Sequence, residues 1–215
     1  MRAGAAQKAL GFIMTVYRRR LTSSFLAIEL SLQRRLGALL GKARVIDLLT
    51  PDDLASLEET GALDLDALEG PALALAREVE ELRDFLADLG DRPPQESKME
   101  RLRDDLLAAF RGVHDTAVVF TQYTDTMRYL REQLVPTFRD RLICYSGDGG
   151  ERWDPNTGRW VPVTKQRVRE LFEKGEEVKM LLGTDALSEG LNLQSSGRLI
   201  NYDCDDGWHA VLGRA

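Results

Sequence analysis

The 215-residue chain reads as an α/β protein, a parallel sheet with crossover helices preceded by an α-helical region. Three observations predict this. As far as residue 92 the apolar residues recur at three- and four-residue steps, the period of a helix face. Beyond Pro93-Pro94 they contract into short runs, several of them β-branched, separated by amphipathic stretches. Short apolar runs alternating with helices are the pattern of strands buried on both faces.

The elements follow in order. Phe25, Ile28, Leu32, Leu36 and Leu39 form the first stripe, with Gly41 as its stop. Thr50-Pro51-Asp52-Asp53 has the form of a further helix start. Gly70-Pro71 opens another helix, since proline in the first turn gives up an N–H that has no partner there. Leu75, Val79, Leu82, Phe85 or Leu86, and Leu89 make its stripe, and Gly90 ends it. Asp91-Arg92-Pro93-Pro94-Gln95 is the clearest boundary, dividing a helical region 1–92 from a second domain 95–215. Ser97-Lys98-Met99-Glu100 is a capping box, and Met99, Leu102, Leu106 and Phe110 carry its helix to Gly112. Strands are expected at Ala117–Phe120, Arg141–Tyr145, Val178–Leu182 and Arg198–Tyr202. Helices are expected from the Thr124-Asp125 cap to Leu134 and over Thr164–Lys174. Trp153 and Trp160 flank Asp154-Pro155-Asn156-Thr157-Gly158, a hairpin-like turn.

Composition excludes several classes. At 43% hydrophobic and 30% charged the chain can bury a core and is not disordered by composition. Its apolar runs are too short to span a membrane, and Arg18–Arg20 interrupt the one candidate leader stretch. Cys144 and Cys204 are far apart, and His114 and His209 have no metal-ligand spacing. That leaves no disulfide scaffold or zinc ribbon, no metal site is expected, and a reducing cytoplasm is the expected setting.

The net charge of −6 hides an asymmetry. Residues 1–44 carry nine Lys/Arg against Glu29 alone, and residues 45–91 carry fourteen acids against Arg77 and Arg83. The first block, with Arg18, Arg19, Arg20, Arg34 and Arg35, has the charge to follow a phosphate backbone; equally, the two blocks can pair with each other. Trp153 and Trp160, beside Arg152 and Arg159, either stack on single-stranded bases or fold onto each other and the domain.

In open parallel sheets the working loops lie beyond the carboxyl ends of the strands. Here they start at Thr121, Ser146, Gly183 and Asp203. The loop from Gly183 to Gln194 is the most informative, with glycines, hydroxyls, two acids and amides straight after a buried strand. Such groups hydrogen-bond phosphates or a ribose, and they also make ordinary βα turns with caps.

The stretch Leu181-Leu182-Gly183-Thr184-Asp185-Ala186-Leu187-Ser188-Glu189-Gly190-Leu191-Asn192-Leu193-Gln194 resembles motif V of the Swi/Snf-type ATPases of helicase superfamily 2. The flanking pieces occur in that family's order. Val118-Val119-Phe120-Thr121-Gln122-Tyr123 resembles motif IV, and Ser97-Lys98 resembles the entry to the second RecA-like lobe. Cys144-Tyr145-Ser146-Gly147 with Lys165–Phe172 resembles the motif before the third strand. Leu199-Ile200-Asn201-Tyr202-Asp203 is similar to the lead-in to motif VI, and Arg18–Ser24 to the inter-lobe region of bacterial Swi/Snf proteins.

The resemblance implies a C-terminal RecA-like motor lobe, 95–215, of a DNA-dependent ATPase or translocase working in repair or remodelling. Its partners would be DNA and an N-terminal RecA-like lobe, which in the two-lobe parent holds ATP and Mg²⁺. Thr184, Asp185, Glu189, Gly190, Asn192 and Gln194 would couple nucleotide state to grip on DNA. Thr121, Gln122 and Ser188, with Arg18, Arg19 and Arg20, would touch DNA.

Two departures shape the expectation. No GxxxxGK[ST] phosphate-binding loop and no Asp-Glu pair after a strand occur in these residues, so no catalytic residue is expected in the chain, which alone should neither hold ATP tightly nor hydrolyse it. After Asp203 the family's Pro-Trp-Asn-Pro and its arginine motif are replaced by Cys204–Ala215, in which Trp208 and Gly213-Arg214 are echoes at the wrong spacing. The chain is expected to be a second half of such a motor, truncated or altered after Asp203. The alternatives are a non-catalytic DNA- or protein-binding module derived from it, and a lobe of a different superfamily 2 enzyme such as an RNA helicase.

Overall fold

The computed structural model describes residues 15–41, 72–91, 97–111, 115–187, 196–203 and 210–212, with only the backbone for 72–77 and 210–212. The chain divides into two compact units, Met1–Pro94 and Gln95–Ala215. Among the described residues no helix is long and apolar enough to cross a membrane.

In the first unit, residues 15–23 are helical (α1), followed by α2 (Phe25–Leu39) and α3 (Ala72–Gly90). Ser24 separates α1 from α2 with extended backbone, and its hydroxyl accepts from the Ala27 N–H at 3.1 Å, capping α2. Gly41, at φ +69°, follows the end of α2 in the left-handed conformation that glycine adopts without strain. Ile28, Leu32 and Leu89 are buried between α2 and α3, with Tyr17, Leu82 and Leu86 packed against them. The predicted stripes reach too far at Phe25 and Phe85, both of which are exposed; Leu86 takes the inward position. Thr50–Asp53 lies outside the described residues, as do Gly70 and Pro71.

Among the described residues the basic and acidic blocks meet at Arg35 and Glu78. Arg35, nearly buried, donates from Nε to Glu78 Oε1 at 2.7 Å and from Nη2 to Oε2 at 3.0 Å. Burial disfavours the charged guanidinium, but the bidentate carboxylate outweighs it and raises the Arg35 pKa.

The second unit is a sheet with helices on both faces. Its elements are α4 (Ser97–Ala109), β1 (Ala117–Phe120), α5 (Thr124–Phe138), β2 (Leu142–Ser146), β3 (Gly149–Asp154), β4 (Arg159–Val163), α6 (Lys165–Lys174), β5 (Met180–Gly183), β6 (Arg198–Asn201) and β7 (Ala210–Leu212). The strand order is β4-β3-β2-β5-β1-β6-β7. The central four, β2-β5-β1-β6, are parallel. Alternate residues of these strands serve opposite faces. Ala117, Val119, Leu142, Cys144, Met180 and Leu182 pack with α4 and α5, while Val118, Ile143 and Leu181 pack with α6 through Val168, Leu171 and Phe172.

The α/β RecA-like fold preceded by helices is as the sequence predicts, with one correction: the sheet is mixed. The Trp153–Trp160 turn is a true hairpin whose strands β3 and β4 extend the sheet antiparallel beside β2. Residues 210–212 of the tail form a further antiparallel strand on β6. The hairpin strands have no continuous apolar run, because edge strands need not be apolar. α5 also continues to Phe138, through Pro136. The helix ends two residues beyond that proline, so the ring disturbs only its last turn. Its N-cap position is Tyr123, with no side-chain cap bond, rather than Thr124 or Asp125. Ser97 is itself the first residue of α4, with Glu100 in the first turn.

Candidate nucleic-acid interface

The carboxyl ends of β1, β5 and β6 are locked together before their loops begin. The Thr121 N–H donates to Gly183 O at 3.0 Å, and the Tyr202 N–H to Phe120 O at 2.7 Å. The Thr184 N–H donates to Tyr145 O at 3.2 Å, tying in β2. Gly183 sits where nothing larger fits: a Cβ there would lie 2.5 Å from both the Leu187 Cδ1 and the Tyr145 carbonyl oxygen. That close approach lets the chain turn at Thr184 into a single 3-10 turn, Asp185–Leu187, closed by the Leu187 N–H on Thr184 O at 2.9 Å.

Beyond these ends lies a cleft of about 320 Å³, lined by Thr121, Gln122, Asp185, Asn201 and Asp203 over a floor of Phe120 and Leu199. Its side chains are organised around one carboxylate. Asp203 Oδ2 accepts the Thr121 hydroxyl at 2.8 Å and also the Gln122 backbone N–H. The Thr121 oxygen in turn accepts the Tyr123 N–H at 3.4 Å. Asp203 is itself held by its N–H, which donates to Asn201 Oδ1 at 3.1 Å.

The cleft thus brings together Thr121, Gln122 and Asp185 from the residues singled out in the sequence. Thr184 is buried behind it, and Asp185 is exposed. Ser188, Glu189, Gly190, Asn192 and Gln194 lie outside the described residues, as do His114, His209, Cys204, Trp208 and Arg214. In the first unit Arg18 and Arg19 are exposed, but Arg20 is fully buried, so the three arginines do not form one solvent-facing row. A helix sends consecutive side chains to different faces, and Arg20 points to the packed one. Asn201 and Asp203 carry no site role that the sequence alone assigns. The available signal was position, since Asp203 begins the loop beyond β6.

The two tryptophans fold onto each other and onto the domain. Their rings meet edge to face at 5.6 Å, Arg131 lies over the Trp160 ring at 4.8 Å, and the Trp160 Nε1–H donates to Glu132 at 2.9 Å. Arg131 also pairs with Glu151, and Arg152 with Glu177 at 3.0 Å. β3 runs back along β2 from Ser146 towards Leu142, so the hairpin tip lies at the opposite end of the sheet from Thr121.

Among the described residues no group of His, Cys, Asp and Glu could hold a metal ion. The cleft offers two carboxylates, amides and a hydroxyl, with no cation among its described lining residues. That donor set does not fit the triphosphate of a nucleotide.

The model of the helicase conserved C-terminal domain matches residues 97–214. No curated protein matches the chain.

Proposed function

The chain belongs to the helicase conserved C-terminal domain family, residues 97–214 forming a helicase-like C-terminal lobe, and on that basis we propose that it is the second motor lobe of a Swi/Snf-type DNA-dependent ATPase or translocase. Its work is to grip the DNA backbone and to pass the state of the nucleotide to that grip. Thr121 and Gln122 at the end of β1 are the contacts from the motif IV-like loop. The motif V-like segment beginning at Thr184 and Asp185, with Ser188, Glu189, Gly190, Asn192 and Gln194, supplies the coupling. ATP and Mg²⁺ belong to a partner lobe carrying the phosphate-binding loop. Arg18 and Arg19 are the inter-lobe cations for the DNA backbone; buried Arg20 is not.

The observation that carries this reading is the meeting of three strand ends at one cleft. The loops after β1, β5 and β6 converge there, and a hydroxyl and a backbone N–H point at a single anionic oxygen. Donors so arranged take a phosphodiester oxygen as readily as a carboxylate. Leu187, packed on Gly183, anchors the root of the coupling segment, so a shift in that segment reaches β5 directly.

The test is binding of a short duplex across a salt series. The chain should bind duplex DNA at low salt, and Thr121→Val, which removes the hydroxyl donor, should weaken it. Arg18→Ala with Arg19→Ala should lower the slope of log K against log salt by about 2, close to 0.9 for each phosphate that is no longer neutralised. No binding at low salt contradicts the reading, and a preference for RNA over duplex DNA redirects it to another superfamily 2 lobe.

A further inference from the structure

We propose that Asp203 is a built-in stand-in for the DNA phosphate, an intramolecular carboxylate that holds the Thr121 and Gln122 donors closed until it is displaced. The inference rests on the reading of this cleft as the DNA-backbone contact, and it adds a regulation of that contact.

The geometry is that of an anion site already filled. Two donors from adjacent residues, the Thr121 hydroxyl at 2.8 Å and the Gln122 backbone N–H, converge on one oxygen, Asp203 Oδ2. The Thr121 side chain is nearly buried and a hydroxyl has a single proton, so that proton is committed to Asp203. The carboxylate is also presented from a fixed base. The Tyr202 N–H is bonded to Phe120 O at 2.7 Å, and the Asp203 N–H to Asn201 Oδ1 at 3.1 Å. Asp185 lines the same cleft, so a phosphate approaching the donors meets two negative charges. DNA can use the donors only when the Asp203 carboxylate has left them. Displacement exchanges one charge-assisted pair of bonds for another, so the donors stay satisfied and what opposes the exchange is the repulsion from the two carboxylates.

The experiment is duplex binding by fluorescence anisotropy with the full chain, at fixed low salt. Asp203→Asn keeps the shape but weakens the bonds that hold the donors, and it should bind about fivefold tighter than the unaltered chain, as expected when a charged acceptor becomes a neutral one. Asp140→Asn, a substitution at an exposed position remote from the cleft, measures the general effect of removing one negative charge and should change little. Asp203→Asn combined with Thr121→Val should lose the gain. A gain that survives Thr121→Val, or equals that of Asp140→Asn, overturns the proposal.

Failure of the stand-in and failure of the DNA contact give different results. If Thr121→Val alone weakens binding while Asp203→Asn leaves it unchanged or weaker, the cleft grips DNA and Asp203 merely positions it, which overturns the stand-in. If neither substitution matters, the cleft does not touch DNA and both fall. Should the variants not fold, the unaltered chain decides. Saturating duplex must shift the Asp203 carboxyl carbon resonance, and an unmoved resonance overturns the proposal.

Discussion

Gly183 is a case where one atom decides a local structure. In the sequence it opens the loop that runs to Gln194. In the fold a Cβ at Gly183 would collide with a backbone carbonyl that cannot rotate away. Gly183→Ala should therefore cost about 1–3 kcal/mol, read as a lower urea midpoint at unchanged m value. Cys144 is buried in the core, and loss of hydration pushes its thiol far above the usual range. It should resist alkylation in the native chain and react once urea unfolds it; reaction at the native rate of an exposed thiol would contradict its placement. Asp115 bonds to Lys179 at 2.5 Å, and that bond holds its carboxyl below the usual carboxylate range. A depressed carboxyl contributes stability above its unfolded pKa and loses it as the pH falls through the folded value. Asp115→Asn should thus flatten the acid limb of a stability–pH curve, slightly, because the Asp115 side chain is nearly half exposed and solvent screens the pair. None of these side-chain partners is legible in the sequence, where Asp203 stands 82 positions from Thr121.

At the scale of elements, apolarity made the structure legible. β1 was readable to the residue because Ala117–Phe120 is an unbroken apolar run buried on both faces. α6 was readable from its cap: Thr164 Oγ1 accepts the Arg167 N–H at 3.2 Å, and Thr164→Ala should cost about 1 kcal/mol in a denaturant titration. The hairpin was half legible. Its turn showed in Asp154-Pro155-Asn156-Thr157-Gly158, where Asn156 N–H and Thr157 Oγ1 both donate to Asp154 at 2.9 Å. Its membership of the sheet did not show, because an edge strand such as Arg159–Val163 is largely solvated. Arg131 laces the hairpin to α5, stacking on the Trp160 ring and pairing with Glu151. Arg131→Ala removes both interactions and should destabilise the domain by about 1–2 kcal/mol. Duplex binding should be unaffected, since the hairpin tip lies at the far end of the sheet.

For the whole molecule, periodicity and the change of pattern at Pro93-Pro94 were enough to foresee helices followed by a sheet with crossover helices, and the RecA-like form came from the motif resemblance. Of the antiparallel additions, the hairpin pairs locally and showed its turn, whereas the tail strand pairs with β6 across a stretch in which the sequence showed no turn. The matched family stretch runs through that tail to residue 214, beyond the point where the sequence departs from the Swi/Snf pattern. The candidate site was legible only as loops, because a sheet's carboxyl edge collects segments far apart in the chain. What joins them, an acceptor shared by two donors, exists only once the strands are in register.

The most direct test of a motor lobe that works only beside its partner is ATP hydrolysis by this chain with duplex DNA. It is measured with and without a Swi/Snf-type N-terminal RecA-like lobe added in trans. DNA-dependent turnover is expected in the mixture and none from the chain alone. Turnover by the purified chain alone, or an inactive mixture of two folded lobes shown to associate, would contradict the assignment.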